Sequence, residues 1–350
     1  MTTIKEIAKI AGVSRSTVSR VLNKDENVSE RTRAKVQSII DEMGYQPNPI
    51  ARSLISGRTR VLGLVIPMIV TSLFKDPFFS LLAQGISSAC THNNYTLMLW
   101  LIEPDFETRT HNTILNNRLI DGIIVASSKI NDPLIEALVC RKIPLVQVGR
   151  NKLSDVSCID ADNIQGSMMA VKHLVDIGRE QLATITGQME IYSGVDRLTG
   201  FKNGLKEHNL AIHEERIAFG DFTEESGYRQ AKNLLSKTAF DGLYVASDMM
   251  AVGAIRAIQE AGLRIPEDIA VVGFDDIPAA AHYQPPLTTV RQPIQQMGAV
   301  AAQTLIDQLE SKETAIPRRI ILPTKLMVRG TTQKPENTRW YSEEMIESTI

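Results

Sequence analysis

Cysteine is scarce in this chain of 350 residues: Cys90, Cys140 and Cys158 are widely separated, odd in number and never in a CxxC pair. A disulfide framework and a thiolate metal site are therefore not expected, and a reducing, cytoplasmic setting is. No window approaches the roughly 18 consecutive apolar residues of a membrane span, and the polar N-terminus has no signal-peptide core. Motifs of the common enzyme classes are missing as well. No GxGxxG follows a strand, and there is neither a phosphate-loop lysine motif nor a GxSxG elbow. The six histidines are scattered, and the adjacent carboxylates Asp275 and Asp276 point differently and make a poor acid/base pair. These absences argue against an enzyme, and no cofactor or metal is expected.

Net charge is also small, at −2, but it is unevenly distributed. Residues 1–60 hold eleven Lys and Arg against six Asp and Glu, a net of +5, and the remainder carries −7. A basic head on an acidic body suits attraction of phosphates at one end only. With 43% hydrophobic residues, the rest of the chain can bury sizeable cores, and its length suggests two to three domains.

The head holds the most specific pattern, TIKEIAKIAGVSRSTVSRVLN over residues 3–23. Thr3 can cap a first helix and Glu6 completes a capping box. Ile4, Ile7, Ala8 and Ala11 form one apolar face. Gly12 gives a tight turn with Val13 as its anchor, and Ser14 caps a second helix, Arg15–Leu22. Val18, Val21 and Leu22 face inward, leaving Arg15, Ser16, Thr17, Ser19 and Arg20 outward. This is the layout of a helix-turn-helix, whose second helix enters the major groove of DNA. Arginine reads guanine bidentately, and Ser and Thr pair with base edges. A plain helical bundle is the alternative, and the agreement of caps, turn and exposed polar set argues against it. Ser29 caps a third helix with Val36, Ile39, Ile40 and Met43 as its stripe, ended by Gly44. Asn48 and Pro49 then read as a cap and first residue of a short segment running to Ile55. It is too short to be stable alone. Its Leu54 is suited to wedge between base steps in the minor groove, although a plain linker fits the composition too.

From Val61 onward, strand-length apolar runs alternate with amphipathic helices: residues 61–67, 95–100, 122–127 and 143–149, then 182–187, 242–247 and 268–274. Helices are expected near 78–92, 107–117, 133–141, 163–177, 197–208, 224–236 and 248–261. Two such halves imply a bilobed α/β body with parallel sheets and a ligand cleft at the carboxyl ends of the strands. Asp76, Phe78, Phe79, Arg150, Asp162, Asn163, Arg197, Phe222, Ser247, Asp248, Asp275 and Asp276 fall there. Arginines, aspartates and aromatic faces suit a hydroxylated ligand. Taken singly, Asp248 and Asp276 read as helix caps.

Together, the 3–23 segment, VSERTRAKV, GYQPNPIARSL, LGLVIP, DGIIV, GFDDI and LTTVRQP resemble the LacI/GalR family of bacterial transcriptional repressors, over residues 3 to about 330. The resemblance implies a helix-turn-helix head (1–47), a hinge helix and linker (48–60) and an effector-binding and dimerisation domain (61–330). Within the last, it implies one lobe of 61–160 with a return segment 292–323, and a second of 161–291 with 324–330. Two chains would pair on palindromic operator DNA. The implied DNA-contacting set is Thr3, Ser14, Arg15, Ser16, Thr17, Ser19, Arg20, Asn23, Ser29, Asn48, Ala51 and Leu54. The implied effector set is Phe78 or Phe79, Arg150, Arg197, Phe222, Ser247, Asp275 and Gln292. Two departures bear on register: a longer loop between Pro67 and Pro77, and Asp76 where asparagine is usual. The tail 331–350 lacks leucine heptads, so a homodimer and a mobile tail are expected. The implied function is repression of carbohydrate-utilisation genes at the nucleoid, relieved by a sugar or sugar phosphate. Corepression by a purine or other metabolite is the alternative, and a sugar receptor or enzyme on the same bilobed fold the remote one.

Overall fold

The computed structural model describes residues 3–22, 25, 27–45, 58–66, 76–102, 107–117, 119–126, 129–311 and 316–333. It divides into two compact units, 1–60 and 61–350.

In the first unit, α1 (Ile4–Ala11) opens on the Thr3–Glu6 capping box, with both reciprocal bonds present. It ends at Gly12, whose φ of +66° lies in the left-handed region that glycine enters without a Cβ clash. α2 (Arg15–Leu22) follows, and α3 (Glu30–Glu42) starts at Ser29, which accepts the Thr32 N–H. Helices of eight residues are marginal alone. They are held by burial of Ile7, Ala8, Ala11, Val18, Val21, Val28, Val36 and Ile40 in one core.

The second unit contains two six-stranded sheets. In the first lobe β1 (Val61–Ile66), α4 (Pro77–His92), β2 (Thr96–Leu101), α5 (Glu107–Leu115), β3 (Gly122–Val125), α6 (Pro133–Cys140), β4 (Leu145–Val148) and β5 (Ser157–Ala161) alternate. The chain then crosses to the second lobe: α7 (Asn163–Asp176), β6 (Leu182–Thr186), α8 (Tyr192–Glu207), β7 (Ile217–Phe219), α9 (Glu224–Lys237), β8 (Gly242–Val245), α10 (Asp248–Glu260), β9 (Ala270–Asp275) and β10 (Thr288–Arg291). It returns for α11 (Ile294–Glu310) and β11 (Arg319–Leu322), and crosses a third time into β12 (Lys325–Met327). The sheet orders are β11-β5-β4-β3-β1-β2 and β12-β10-β9-β8-β6-β7. Every pairing is parallel except that of β12 with β10.

Period-two alternation divides each apolar strand between two cores. Leu62, Leu64 and Ile66 of β1 face α4 and α11, whereas Val65 joins the opposite core with Leu134, Ile135 and Leu138 of α6. The second lobe repeats this, with one core against α9 and α10 and another against α7 and α8. The α4–α11 contact is tight because it is made at glycines: a Cβ on Gly85 would lie 1.9 Å from the Gln295 carbonyl oxygen.

The sequence reading ends the body at residue 330. Thr331 and Thr332 are nonetheless buried in the second lobe: Thr331 Oγ1 donates to the Val271 carbonyl (2.7 Å), and Thr332 Oγ1 lies 2.8 Å from His173 Nε2. Any tail therefore begins later. Residues 334–350, the segment 46–57 that carries Asn48, Ala51 and Leu54, and the segment 67–75 lie outside the described residues. Among the described residues no helix is long and apolar enough to cross a membrane.

Candidate functional site

On the head, α2 buries Val18 and Val21 and exposes Arg15, Ser16 and Arg20, with Thr17 and Ser19 half-buried. Ser14 accepts the Thr17 N–H at 3.1 Å, and its hydroxyl lies 2.6 Å from that of Ser16 and 2.8 Å from that of Thr17. This small hydroxyl cluster satisfies the start of α2, so the helix can present its first turn end-on. Arg20 lies 3.8 Å from Asp25. Hydrogen bonds from Asn27 hold the Asp25 carboxyl below its usual range, and Arg20 adds to this. The Arg20 side chain is 60% exposed, so the pair orients it without removing it from solvent. Thr3 and Ser29 serve first as caps of α1 and α3. Asn23 lies outside the described residues.

In the body, the polar groups converge where the sheets end. β5 runs into Asp162, which caps α7 by accepting the Gln165 N–H (3.0 Å) and places Asn163 on its first turn. Asn163 Oδ1 accepts from Arg197 Nε at 2.9 Å. Nη1 of Arg197 is also engaged by the protein: it reaches the Ala246 carbonyl (2.5 Å), beyond β8, and Asp275 Oδ1 (3.2 Å), the last residue of β9. Gln292, just past β10, donates to the same Asp275 oxygen at 2.6 Å. The guanidinium lies 3.8 Å from the centroid of the Phe274 ring and 6.0 Å from that of Phe222. Phe222 has a φ of +70°, and its ring occupies the space that a side chain at residue 187 would fill: a Cβ on Gly187 would lie 2.0 Å from it. Arg197, Asp275 and Gln292 are each at least nine-tenths buried.

The first lobe supplies Asp76, which caps α4 by accepting the Phe78 N–H (2.9 Å), and the edge-to-face pair Phe78–Phe79 at 5.0 Å. Both rings are half-buried against the first-lobe core. Arg150, just beyond β4, reaches into the second lobe. Its Nη2 donates to Asp196 (2.7 Å) and its guanidinium lies 4.5 Å from the Tyr192 ring centroid, both on α8. Nearby, the Ile130 N–H donates to the Glu190 carbonyl at 2.9 Å, adding a second tie between the lobes.

Carboxylates dominate the electrostatics. Burial pushes Asp160 up to about 6, with Asp196 adding to the rise. It pushes Asp275 to about 6 as well, against the pull of Arg197. Burial raises Asp76 and Asp196 too, opposed in Asp76 by its bond from Phe78 and in Asp196 by Arg150.

The expectation that Asp248 and Asp276 cap helices is overturned. Ser247 is the cap of α10, accepting the Met250 N–H at 3.3 Å. Asp248 follows it fully buried and accepts from the Ile277 N–H (2.9 Å) and the Thr289 hydroxyl (2.5 Å). Asp276 accepts from Arg291 (2.5 Å) and Arg329 (2.7 Å), joining β9, β10 and the end of β12. Both acids have long-range partners that local pattern does not reveal. Ser247 is equally committed to its cap.

The structure thus brings together Arg197, Phe222, Asp275 and Gln292, and places Arg150 as a link between lobes. Sequence reasoning missed Asp160, Gly187, Tyr192 and Asp196. The only local signal was an acid inside the apolar strand SCIDA and a second acid directly before Arg197. Among the described residues, no group of three or more His, Cys, Asp or Glu is arranged to hold a metal ion.

Comparison with known proteins agrees with both ends of the molecule. Residues 3–48 match bacterial regulatory proteins of the lacI family, and residues 171–332 match the periplasmic binding protein-like domain. The HTH-type transcriptional regulator CelR of Thermobifida fusca is 36% identical over 331 residues, 93% of this chain and 97% of that protein. A solved transcriptional regulator CelR–cellobiose complex superposes with a TM-score of 0.75 at 35% identity, over 95% of this chain and all of the other. The lac repressor dimer bound to operator and the anti-inducer ONPF gives 0.81 at 28% identity, over 95% and 99% of the two chains.

Proposed function

Since the chain belongs to the lacI family of bacterial transcriptional regulators, we propose that it is a repressor of carbohydrate-utilisation genes, acting in the cytoplasm on nucleoid DNA. A sugar or sugar phosphate bound between the lobes releases it from its operator. The observation that carries the ligand part is the Arg197 cluster. A stacked guanidinium, two amide side chains and a buried carboxylate meet beside aromatic faces, offering fixed donors and acceptors to hydroxyls and a flat surface to a sugar ring. The cellobiose held by the CelR structure supports the same ligand class.

In this reading α2 enters the major groove, and Arg15, Ser16, Thr17 and Arg20 read bases or phosphates. Thr3, Ser14, Ser19, Asn23 and Ser29 complete the contacts of one half-site. Two copies of the chain occupy a palindrome; the lac repressor likewise is bound to operator as a dimer. Asn48, Ala51 and Leu54 are assigned the minor-groove contact, with Leu54 as the wedge. A ligand shifts operator occupancy only by its differential affinity for the two arrangements of the lobes.

A thermal-shift screen of the full chain with sugars, sugar phosphates and nucleobases, followed by operator footprinting with each hit, tests this. Stabilisation by a sugar that also erases the footprint is expected. A footprint that strengthens with the hit reverses the sign of control, and stabilisation by nucleobases alone replaces the ligand class.

A further inference from the structure

Taking the cleft to be the sugar site argued above, we propose that it admits unphosphorylated sugars and discriminates against their phosphate esters and other anions.

Both arginines of the cleft are already neutralised by the protein. Arg197 faces Asp275 at 3.2 Å with both side chains under a tenth exposed, and Arg150 faces Asp196 at 2.7 Å. Asp76 and Asp160 come in addition, and neither makes an ion pair among the described residues. Asp76 takes the Phe78 N–H, and Asp160 takes the Ala161 N–H (2.8 Å) and the Asn163 amide (3.1 Å). These six residues thus set two guanidiniums against four carboxylates. A phosphate entering the cleft meets excess negative charge away from bulk water, where screening is weak.

The usual alternative anchor for phosphate is also partly taken. Free N–H groups at a helix N-terminus form an anion site, but at α4, α7 and α10 a side-chain oxygen of the protein already accepts one of them. Asp76 caps α4, Asp162 caps α7, and Ser247 caps α10 with Asp248 in the same turn. α8 has no side-chain cap, but Asp196 sits four residues into it and carries the same sign of charge as a phosphate. Burial pushes Asp160 and Asp275 up to about 6, which disfavours their own negative charge. Ionised carboxylates are acceptors only, and sugar hydroxyls can donate to them. A neutral polyol supplies these in number; a phosphate dianion supplies none.

Calorimetric titration of the full chain with matched pairs tests the proposal: glucose and glucose 6-phosphate, ribose and ribose 5-phosphate, cellobiose and its 6-phosphate. The expected result is binding of at least one unphosphorylated member, with its ester at least thirty-fold weaker. An ester that binds as tightly as its parent sugar overturns the proposal and leaves the sugar reading standing. Binding of neither member of any pair overturns that reading and the proposal with it. Asp160→Asn removes one of the excess charges and should narrow the ratio by about five-fold at low salt. A ratio that neither this substitution nor added salt changes contradicts the electrostatic cause.

Discussion

Arg197, proposed above to face the ligand, is also a structural group, since three of its bonds go to Asn163, Ala246 and Asp275 inside the protein. Arg197→Ala leaves the Asp275 carboxylate buried without its cation and should lower the unfolding free energy of the body by about 3 kcal/mol. Arg197→Lys keeps the charge but loses the planar fork and the stacking on Phe274. It should retain most of the stability and lose the response to ligand; urea titration and a ligand thermal-shift assay separate the two. Asp160 allows a second test at this scale. Its folded position near 6 lies above the unfolded value of about 3.9. The folded state therefore binds the proton more tightly, and stability from this group is present at low pH and lost as pH rises through 6. Asp160→Asn should flatten the melting temperature between pH 5 and 7 relative to wild type, and an unchanged slope would assign it to Asp275. Arg197 and Asp275 stood out in the sequence because they follow strands. The partners of Asp248 and Asp276 did not, because Thr289, Ile277, Arg291 and Arg329 reach them from distant parts of the chain.

At the level of elements, the head was the most legible part, because its determinants are local. The Thr3–Glu6 box, Gly12 and Ser29 each act within four residues, and period-3.6 apolar spacing marks the buried faces. The body's strands were legible as apolar runs, whereas its helix pairs were not. That α4 meets α11 at Gly85, against the Gln295 backbone about two hundred residues away, follows from topology and has no local signature. The segment that runs back from the second lobe to form α11 and β11 is invisible to periodicity for the same reason. Arg20→Ala should weaken operator binding by about ten-fold, or ~1.4 kcal/mol, because one charged contact to the duplex is lost. A slope of log K against log salt shallower by about one would assign Arg20 to a phosphate, and an unchanged slope to a base.

For the whole molecule, the division at residue 60/61 separates the unit proposed to read DNA from the unit proposed to bind the ligand. The body is suited to hold two arrangements. Three crossings join its lobes, and the Arg150–Asp196 pair and the Ile130–Glu190 bond tie their facing edges. A ligand that prefers one arrangement by a few kcal/mol is enough to move operator occupancy by one to two orders of magnitude. The most direct measurement of that coupling is operator affinity by fluorescence anisotropy, titrated with a cleft-binding sugar, for wild type and Arg197→Lys side by side. The account predicts that saturating sugar weakens operator binding of the wild type at least ten-fold and leaves the variant unchanged, with equal affinities for both proteins in its absence. An operator affinity that stays constant while calorimetry shows the cleft filled would contradict it.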